Sequence, residues 1–371
     1  MKKVLSGCLM MVLITLALIP NTALADDWFE PDPGYYTLMD DSKKELTVMA
    51  REISVDDEYI SGDNKHYIVT KVDRKKREAH TRLIGEITLP AVSQDDSIAA
   101  AQQKDGNILL YCTHNSESYV PSDGEESTEG DGGINDVAKS LADNLKERGI
   151  NAVFKKESHD PGAYRRSRQT AIKLIKENMP VQAVFDIHRD AVPKDHYVTK
   201  VDGQNMSMIR IVLGRRNQNR DANEELAKKI KSVADKAYPG LIKDIFIGKG
   251  GYNQELSPRS LLLELGTHEN SKKAAQKSTA YLAEVISKSM YGGSVKEHSQ
   301  DTEDDDREAE DSNDNETKII PINRDAETKP EGSGGRSGII WLLVIVVVGF
   351  GAFLFISMGG RELRSKFKGR K

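Results

Sequence analysis

The hydrophobic pattern of the chain changes near residue 107. Residues 28–90 contain short stretches in which apolar and polar positions alternate, such as ELTVMAREI and KHYIVTKVD, and polar or glycine-containing stretches separate them. Alternation of this kind is typical of strands with one buried face. We therefore predict a small β-rich module over residues 26–92, followed by a linker over residues 93–106.

Residues 107–292 instead alternate strand and helix patterns. NILLYCTH and SLLLELG are apolar runs suited to strands covered on both faces, whereas INDVAKSLADNLKERG places its apolar residues on one helical face and ends at a glycine. Strand patterns at INAVFKK, VQAVFDIH and MSMIRIVLG, and helix patterns at YRRSRQTAIKLIKEN, NEELAKKIKSVADKAY and KKAAQKSTAYLAEVISKSMYG, complete the series. This order predicts an α/β fold with a mostly parallel sheet flanked by helices.

Two apolar runs lie near the ends of the chain. Residues 1–25 begin MKK, continue through an apolar run and reach Ala-Leu-Ala, which is the layout of a secretory signal peptide cleaved after Ala25. Residues 338–360 carry no charge and are long enough for a transmembrane helix. The basic tail at residues 361–371 predicts a cytoplasmic C-terminus. We expect a single-pass membrane protein with its main domain outside the cytoplasm.

Composition adds two constraints. The net charge of −5 comes with an acidic stretch at residues 293–337 that is poor in large apolar residues, and we interpret it as a disordered stalk. The charge therefore says little about the folded part, and we expect no nucleic-acid partner. Because Cys8 lies in the signal peptide, Cys112 would be the only thiol of the mature protein, which excludes an intrachain disulfide.

Polar side chains interrupt three of the predicted strands at their carboxyl ends. His114 and Glu117 follow the first, His188 ends another, and Glu264 lies at the end of a third. Ligands bind beyond the carboxyl ends of strands in open α/β sheets. We therefore expect these four side chains to lie near one another.

Their chemistry points to a catalytic metal site. Two imidazoles and a carboxylate, from His114, Glu117 and His188, supply three ligands for tetrahedral Zn2+ and leave the fourth position to water. Zinc makes hydroxide available at neutral pH for attack on an amide carbonyl. Glu264 is our candidate for the general base that takes the proton and passes it to the leaving nitrogen.

Other candidates surround this set. Alternation along DIHRD places Asp186 on the side of His188, where it would orient the imidazole. Arg189 would either recognise a substrate carboxylate or form a salt bridge with Asp186 or Asp190, and both alternatives stay open. His159 is either a substrate-contacting residue or a turn residue, and the second reading is favoured.

Four ordered stretches, THNSESY, HDPGAYRRSR, DIHRD and YNQELSPRSLLLELG, closely resemble motifs of the stage II sporulation protein P family over residues 107–292. The resemblance implies an exported zinc-dependent N-acetylmuramoyl-L-alanine amidase with a fold like that of cell-wall amidases and zinc carboxypeptidases. It also implies an additional endopeptidase activity on peptide cross-links, peptidoglycan as the substrate, and action during engulfment with stage II sporulation proteins D and M as partners.

The chain also departs from that family pattern. Family members have a second histidine where this chain has Cys112. They also have an uncleaved N-terminal anchor, whereas this chain is predicted to have a cleaved signal peptide and a C-terminal anchor. A role in vegetative wall turnover therefore stays open. Related amidases take their third metal ligand from the helix after the first histidine. Here that helix, INDVAKSL, offers no glutamate, which favours Glu117.

Two other classes of function remain open at this stage. A cysteine hydrolase would use Cys112 with His114 or His188, because alternation places Cys112 and His114 on one strand face. The other is a non-catalytic protein that binds the cell wall, or one that only recruits other hydrolases to it.

Overall fold

The computed structural model describes residues 34–91 and 106–292. The predicted signal peptide, stalk, transmembrane helix and basic tail, and nearly all of the predicted linker, lie outside these residues. In the part of the chain that is described, no helix is long and apolar enough to cross a membrane.

From residue 107 onward the predicted strands and helices are present in the predicted order. The structure adds a short helix at Val120–Asp123 and strands at Val198–Val201 and Ile242–Gly248, which the hydrophobic pattern did not predict. The strands are β1 (Tyr36–Met39), β2 (Glu45–Met49), β3 (Glu58–Ile60), β4 (Lys65–Asp73), β5 (Glu78–Glu86), β6 (Asn107–Tyr111), β7 (Ala152–Phe154), β8 (Val181–Asp190), β9 (Val198–Val201), β10 (Gln204–Ser207), β11 (Ile209–Gly214), β12 (Ile242–Gly248) and β13 (Ser260–Thr267). The helices are α1 (Val120–Asp123), α2 (Ile134–Glu147), α3 (Ala163–Glu177), α4 (Arg220–Ala237) and α5 (Lys272–Tyr291).

Eleven strands form one sheet in the order β2-β1-β5-β4-β3-β12-β11-β13-β8-β6-β7. From β12 to β7 the neighbouring strands are parallel, except that β11 and β13 are antiparallel. The predicted mostly parallel α/β fold is therefore confirmed for this part of the chain. Because β6, β8 and β13 run in the same direction, their carboxyl ends meet at one edge of the sheet.

Helices cover both faces of the parallel strands. Ile108 and Leu110 point into the large core beneath α2, α4 and α5, whereas Leu109 and Tyr111 point to the opposite face and pack with Ala171 of α3. This arrangement explains why the first strand is an apolar run rather than an alternating pattern.

The predicted β-rich segment does not form a sheet of its own. Its strand β3 pairs antiparallel with β12, and this pairing adds the strands β1 to β5 to the same sheet. Neighbouring strands within the segment are antiparallel, except that β1 and β5 are parallel. Tyr59 and Tyr67 from the segment share a core with Val212, Phe246 and Leu262 from the central strands. The segment is thus packed against the strands that carry the candidate site.

Candidate active site

Adjacent strands bring the three predicted metal ligands together. Leu110 of β6 lies opposite Phe185 of β8, so the loop after β6 begins beside His188 near the end of β8. His114 Nδ1 and His188 Nδ1 each lie 3.2 Å from Oε1 of Glu117. Within the described ranges, these three residues are the group of histidine, cysteine and acidic side chains placed to hold a metal ion, with ligand atoms within 4.8 Å of one another.

The spacing of these atoms fits a tetrahedral ion. Zinc bonds of 2.0 to 2.2 Å to nitrogen and oxygen put two ligand atoms of a tetrahedron about 3.3 Å apart. The two nitrogen-to-oxygen distances of 3.2 Å match that value. His114 is 25% exposed, whereas Glu117 and His188 are 5% and 3% exposed, so the group opens to solvent on the His114 side.

Charge couples Glu117 to its neighbours. Burial opposes ionisation of Glu117, but His188, His114 and Arg189 outweigh it and hold the pKa of this carboxyl well below its usual range. Burial also opposes a proton on His188, but Asp186 and Glu117 raise the pKa of this imidazole to about 10. A metal ion that takes Nδ1 of His188 must therefore displace a proton.

Asp186 lies behind His188, as the alternation along β8 predicts. Its Oδ1 is 3.0 Å from His188 Nε2, and the two groups form an ion pair when the imidazole is protonated. The same carboxylate accepts from the backbone N–H of Thr113 at 2.7 Å and from its hydroxyl at 2.6 Å. Asp186 therefore ties the end of β8 to the start of the loop that carries His114.

His159 holds the same loop from the other side. Its Nδ1 lies 2.9 Å from the carbonyl oxygen of Cys112, its Nε2 lies 2.9 Å from Thr170 Oγ1, and its backbone N–H donates to Asn115 Oδ1. The ring is 1% exposed, which fits a buried structural residue better than one that contacts substrate.

Gly132 completes the support of this loop. Its backbone N–H donates to the carbonyl oxygen of Asn115 at 2.8 Å, and an added Cβ would overlap the backbone of Ser116 and Glu117. The approach of these two segments allows only a glycine at residue 132.

Arg189 holds the loop that follows Glu117. Its backbone N–H donates to Oε2 of Glu117 at 2.8 Å, and its guanidinium donates to the carbonyl oxygens of Ser118 and Glu126. It also borders the cleft above the metal ligands. Recognition of a substrate carboxylate by Arg189 stays a prediction.

Glu264 lies next to the metal ligands, because residue 264 of β13 is the register partner of His188 on β8. It is 2% exposed and borders the same cleft. Its Oε1 forms an ion pair with Arg51, and its Oε2 lies 3.0 Å from the hydroxyl of Tyr197. That hydroxyl is also 2.9 Å from Asp190 Oδ2, and its single proton bonds one carboxylate at a time.

A buried charge cluster lies behind Glu264. Arg210 is fully buried and bonds Asp244 through two nitrogens at 2.6 and 2.9 Å, and Asp190 at 3.0 Å. Its guanidinium also donates to the carbonyl oxygen of Val48 and the hydroxyl of Thr47. Burial and the neighbouring Glu264 raise the pKa of Asp190 above its usual range, although Arg210 opposes this.

Cys112 does not fit the role of a nucleophile. It is 2% exposed and packs in the core, with Sγ 4.0 Å from the carbonyl oxygen of Ile134 in α2. Burial raises the pKa of its thiol well above the usual range, and a reactive thiolate needs the opposite shift. The geometry thus disfavours the cysteine hydrolase.

Sequence reasoning missed Arg51, Tyr197 and the tyrosines of the cleft. Tyr164 and Tyr252 border the cleft with His114, and the rings of His114 and Tyr164 meet edge to face at 5.4 Å. These two tyrosines lie in the stretches HDPGAYRRSR and YNQELSPRSLLLELG, and the family resemblance of those stretches is the sequence signal that could have identified them. Nothing in the sequence around Arg51 marks it as part of a site.

Comparison with known proteins identifies the family to which the chain belongs. The family model described as stage II sporulation protein P matches residues 31–287, so the match includes the β-rich segment as well as the parallel strands. The stage II sporulation protein P of Bacillus subtilis (strain 168) is 27% identical over 246 residues, which are 60% of this chain and 60% of that protein.

Two solved structures are also similar. The N-acetylmuramoyl-L-alanine amidase of Clostridium difficile 630 is 16% identical with a TM-score of 0.33, over 50% of this chain and 94% of that one. The amidase AmiC2 of Nostoc punctiforme is 16% identical with a TM-score of 0.32, over 50% and 95%. Neither score is high enough to bear on fold or activity. The family match covers well over half of the sequence, and the chain belongs to the stage II sporulation protein P (SpoIIP) family.

Proposed function

We propose that this protein is a zinc-dependent peptidoglycan hydrolase that cleaves the N-acetylmuramoyl-L-alanine amide bond. The observation that carries the proposal is the cluster of His114, Glu117 and His188, with Glu264 beside it on the next strand. Three ligands with one side open to solvent are typical of catalytic zinc sites, whereas structural zinc sites have four protein ligands. Peptidoglycan is proposed as the substrate because the chain belongs to the stage II sporulation protein P family and its motifs resemble those of exported peptidoglycan amidases.

His114, Glu117 and His188 would hold the ion, and zinc held there makes a nucleophile from water near neutral pH. Glu264 takes the proton of the attacking water and gives it to the amide nitrogen, so that the carbon–nitrogen bond breaks and the stem peptide leaves with a free amine. Asp186 keeps His188 oriented from behind.

The role of Glu264 is tested by Glu264→Gln. The variant should bind zinc as the wild type does and lose about 10²- to 10⁴-fold in hydrolysis, the usual worth of general acid–base catalysis. Glu284→Gln is the matched control, because Glu284 pairs with Lys288 on α5, outside the cleft. Both variants are incubated as full chains with purified peptidoglycan, and released products are identified by mass spectrometry. Wild-type rates for Glu264→Gln would contradict the assignment.

The products also separate the finer alternatives. Free stem peptides and peptide-free glycan identify the amidase, whereas cut cross-links with peptides still on the glycan identify an endopeptidase. Tight binding to peptidoglycan without any released product, from protein loaded with zinc, would favour the wall-binding alternative.

We further propose that the protein acts outside the cytoplasm, anchored by the C-terminal apolar run, and in sporulation. The location is supported by the sequence patterns of residues 1–25 and 338–360, and the setting by the name of the family. Partnership with stage II sporulation proteins D and M rests on the resemblance. Protease treatment of intact cells should digest the main domain, and a protected domain would overturn the location.

A further inference from the structure

A cationic side chain from the β-rich segment reaches the candidate active site. Arg51 follows β2, borders the cleft, and its Nη2 forms an ion pair with Oε1 of Glu264, 213 residues further along the chain. Its side chain is 17% exposed. This residue lies outside the region in which sequence patterns placed the chemistry.

The surroundings of Arg51 hold it in place. The backbone N–H of Ala50 donates to Asp190 Oδ1 at 3.0 Å, and the carbonyl oxygen of Val48 accepts from the buried Arg210. The guanidinium itself lies over the ring of Tyr252, 5.4 Å from its centroid. Such contacts distinguish Arg51 from a mobile surface arginine, whose ion pair would contribute little.

We propose that Arg51 is a positioning residue of the active site, which fixes the carboxylate of Glu264, and that the β-rich segment exists in part to supply it. This inference rests on the proposed role of Glu264 as general base. A glutamate has three rotatable side-chain bonds, and a strand position fixes only its backbone. Arg51 at Oε1 and Tyr197 near Oε2 hold the two oxygens from different sides, which sets the plane of the carboxylate.

A residue that acts through Glu264 predicts a specific pattern of mutant kinetics. Arg51→Gln removes the charge, and misplacement of the base should lower kcat by roughly 10- to 100-fold. KM and zinc content should stay near the wild-type values, because the ion pair of Arg51 is with Glu264 and not with His114, Glu117 or His188. Arg51→Lys keeps a cation and should recover part of the loss.

The decisive measurement is a double-mutant cycle in the full chain loaded with zinc, with Arg51→Gln, Glu264→Gln and the combined variant. Removing Arg51 should have almost no further effect once Glu264 is gone. Equal losses in both backgrounds would show that Arg51 acts on the substrate directly or only on the fold, and would overturn the inference. Wild-type kcat for Arg51→Gln would overturn it as well. Arg74→Gln is the control, since Arg74 forms an exposed ion pair with Glu52 in the same segment.

The inference and the proposed function fail in different ways. If zinc-loaded wild-type protein releases no product, the proposed function fails. The double-mutant cycle of Arg51→Gln and Glu264→Gln is then measured by thermal unfolding instead of by kinetics. Melting temperatures that drop less in the combined variant than the sum of the single drops show that Arg51 holds Glu264, whatever the reaction. Additive drops overturn the inference. If Arg51→Gln does not fold, Arg51→Lys replaces it in the cycle.

Discussion

Replacing Arg210 by methionine tests the buried charge cluster behind the site. The guanidinium of Arg210 bonds Asp244, Asp190, the hydroxyl of Thr47 and the carbonyl oxygen of Val48, and is fully buried. Methionine keeps most of the side-chain length and removes all of these donors. The cluster joins the β-rich segment to the central strands, so its loss should destabilise both.

The size of the loss in stability follows from the two carboxylates that stay buried after Arg210 is replaced. Asp190 and Asp244 are 3% and 0% exposed and would remain in the interior without the guanidinium, although Lys243 still lies 3.2 Å from Asp244. Breaking a buried pair by removing one partner costs about 3–5 kcal/mol. We expect a loss of that size in the free energy of unfolding, measured by urea denaturation with far-UV circular dichroism at pH 7.

A matched control uses a surface arginine. Arg74→Met removes an ion pair whose two side chains are 69% and 38% exposed, and should cost less than about 1 kcal/mol. If Arg210→Met lowers the free energy of unfolding as little as Arg74→Met does, the buried charge cluster does not stabilise the fold.

The pH dependence of this variant has a definite sign. Burial favours the neutral form of Asp244, but Arg210 and Lys243 hold the pKa of this carboxyl below its usual range in the folded protein. A depressed folded pKa contributes stability above the unfolded pKa, and this stability is lost as the pH falls through the folded value. Without Arg210 the folded pKa rises. Above the unfolded pKa of an aspartate, about 3.9, the wild type keeps its stability, whereas protonation of Asp244 relieves the variant. The stability difference between the wild type and Arg210→Met should therefore shrink as the pH is lowered from 7 to about 4, and a constant or growing difference would contradict the account.

Three further predictions concern the metal site. His188→Ala should weaken zinc binding, measured by calorimetry, at least about 100-fold, since loss of a residue that only orients a ligand already lowers metal affinity about 10- to 100-fold. His80→Ala on β5 is the control and should bind zinc as the wild type does. Gly132→Ala should weaken zinc binding and lower the melting temperature, because its Cβ would push the backbone of Glu117; wild-type affinity would refute this. Cys112→Ala should keep full hydrolysis, and loss of activity with intact zinc content and fold would restore the cysteine alternative.

The part of the fold that the sequence predicts is the part with clean periodicity. NILLYCTH and SLLLELG each contain an unbroken apolar run, ILLYC and LLL, since β6 and β13 are covered on both faces. Gly149 ends the α2 segment at a φ of 73° as expected. His114, Glu117 and His188 are predictable as a group because parallel strands end at one edge of the sheet.

The join between the β-rich segment and the central strands was not predictable in the same way. It runs through β12, where Lys243 and Asp244 interrupt a short apolar run in IKDIFIG. Arg210 on β11, together with Lys243, neutralises the buried Asp244, and hydrophobic periodicity contains no sign of the pairing between Arg210 and Asp244. A buried charge with a distant partner reads in sequence as a surface position.

The contact between Arg51 and Glu264 was hidden for a related reason. Glu264 stands out in LLLELG, but a sequence separation of 213 residues leaves no local pattern that links it to Arg51. Long-range ion pairs of this kind follow from the strand order, which single-sequence periodicity does not determine.

The measurement that tests the central claim most directly is metal removal and restoration on the wild-type full chain. Zinc content is determined, the protein is treated with a chelator, and stem-peptide release from purified peptidoglycan is followed before and after zinc is returned. The account predicts one zinc per chain, loss of peptide release on chelation, and recovery with about one equivalent of zinc. Peptide release that persists in protein shown to be free of metal would contradict it.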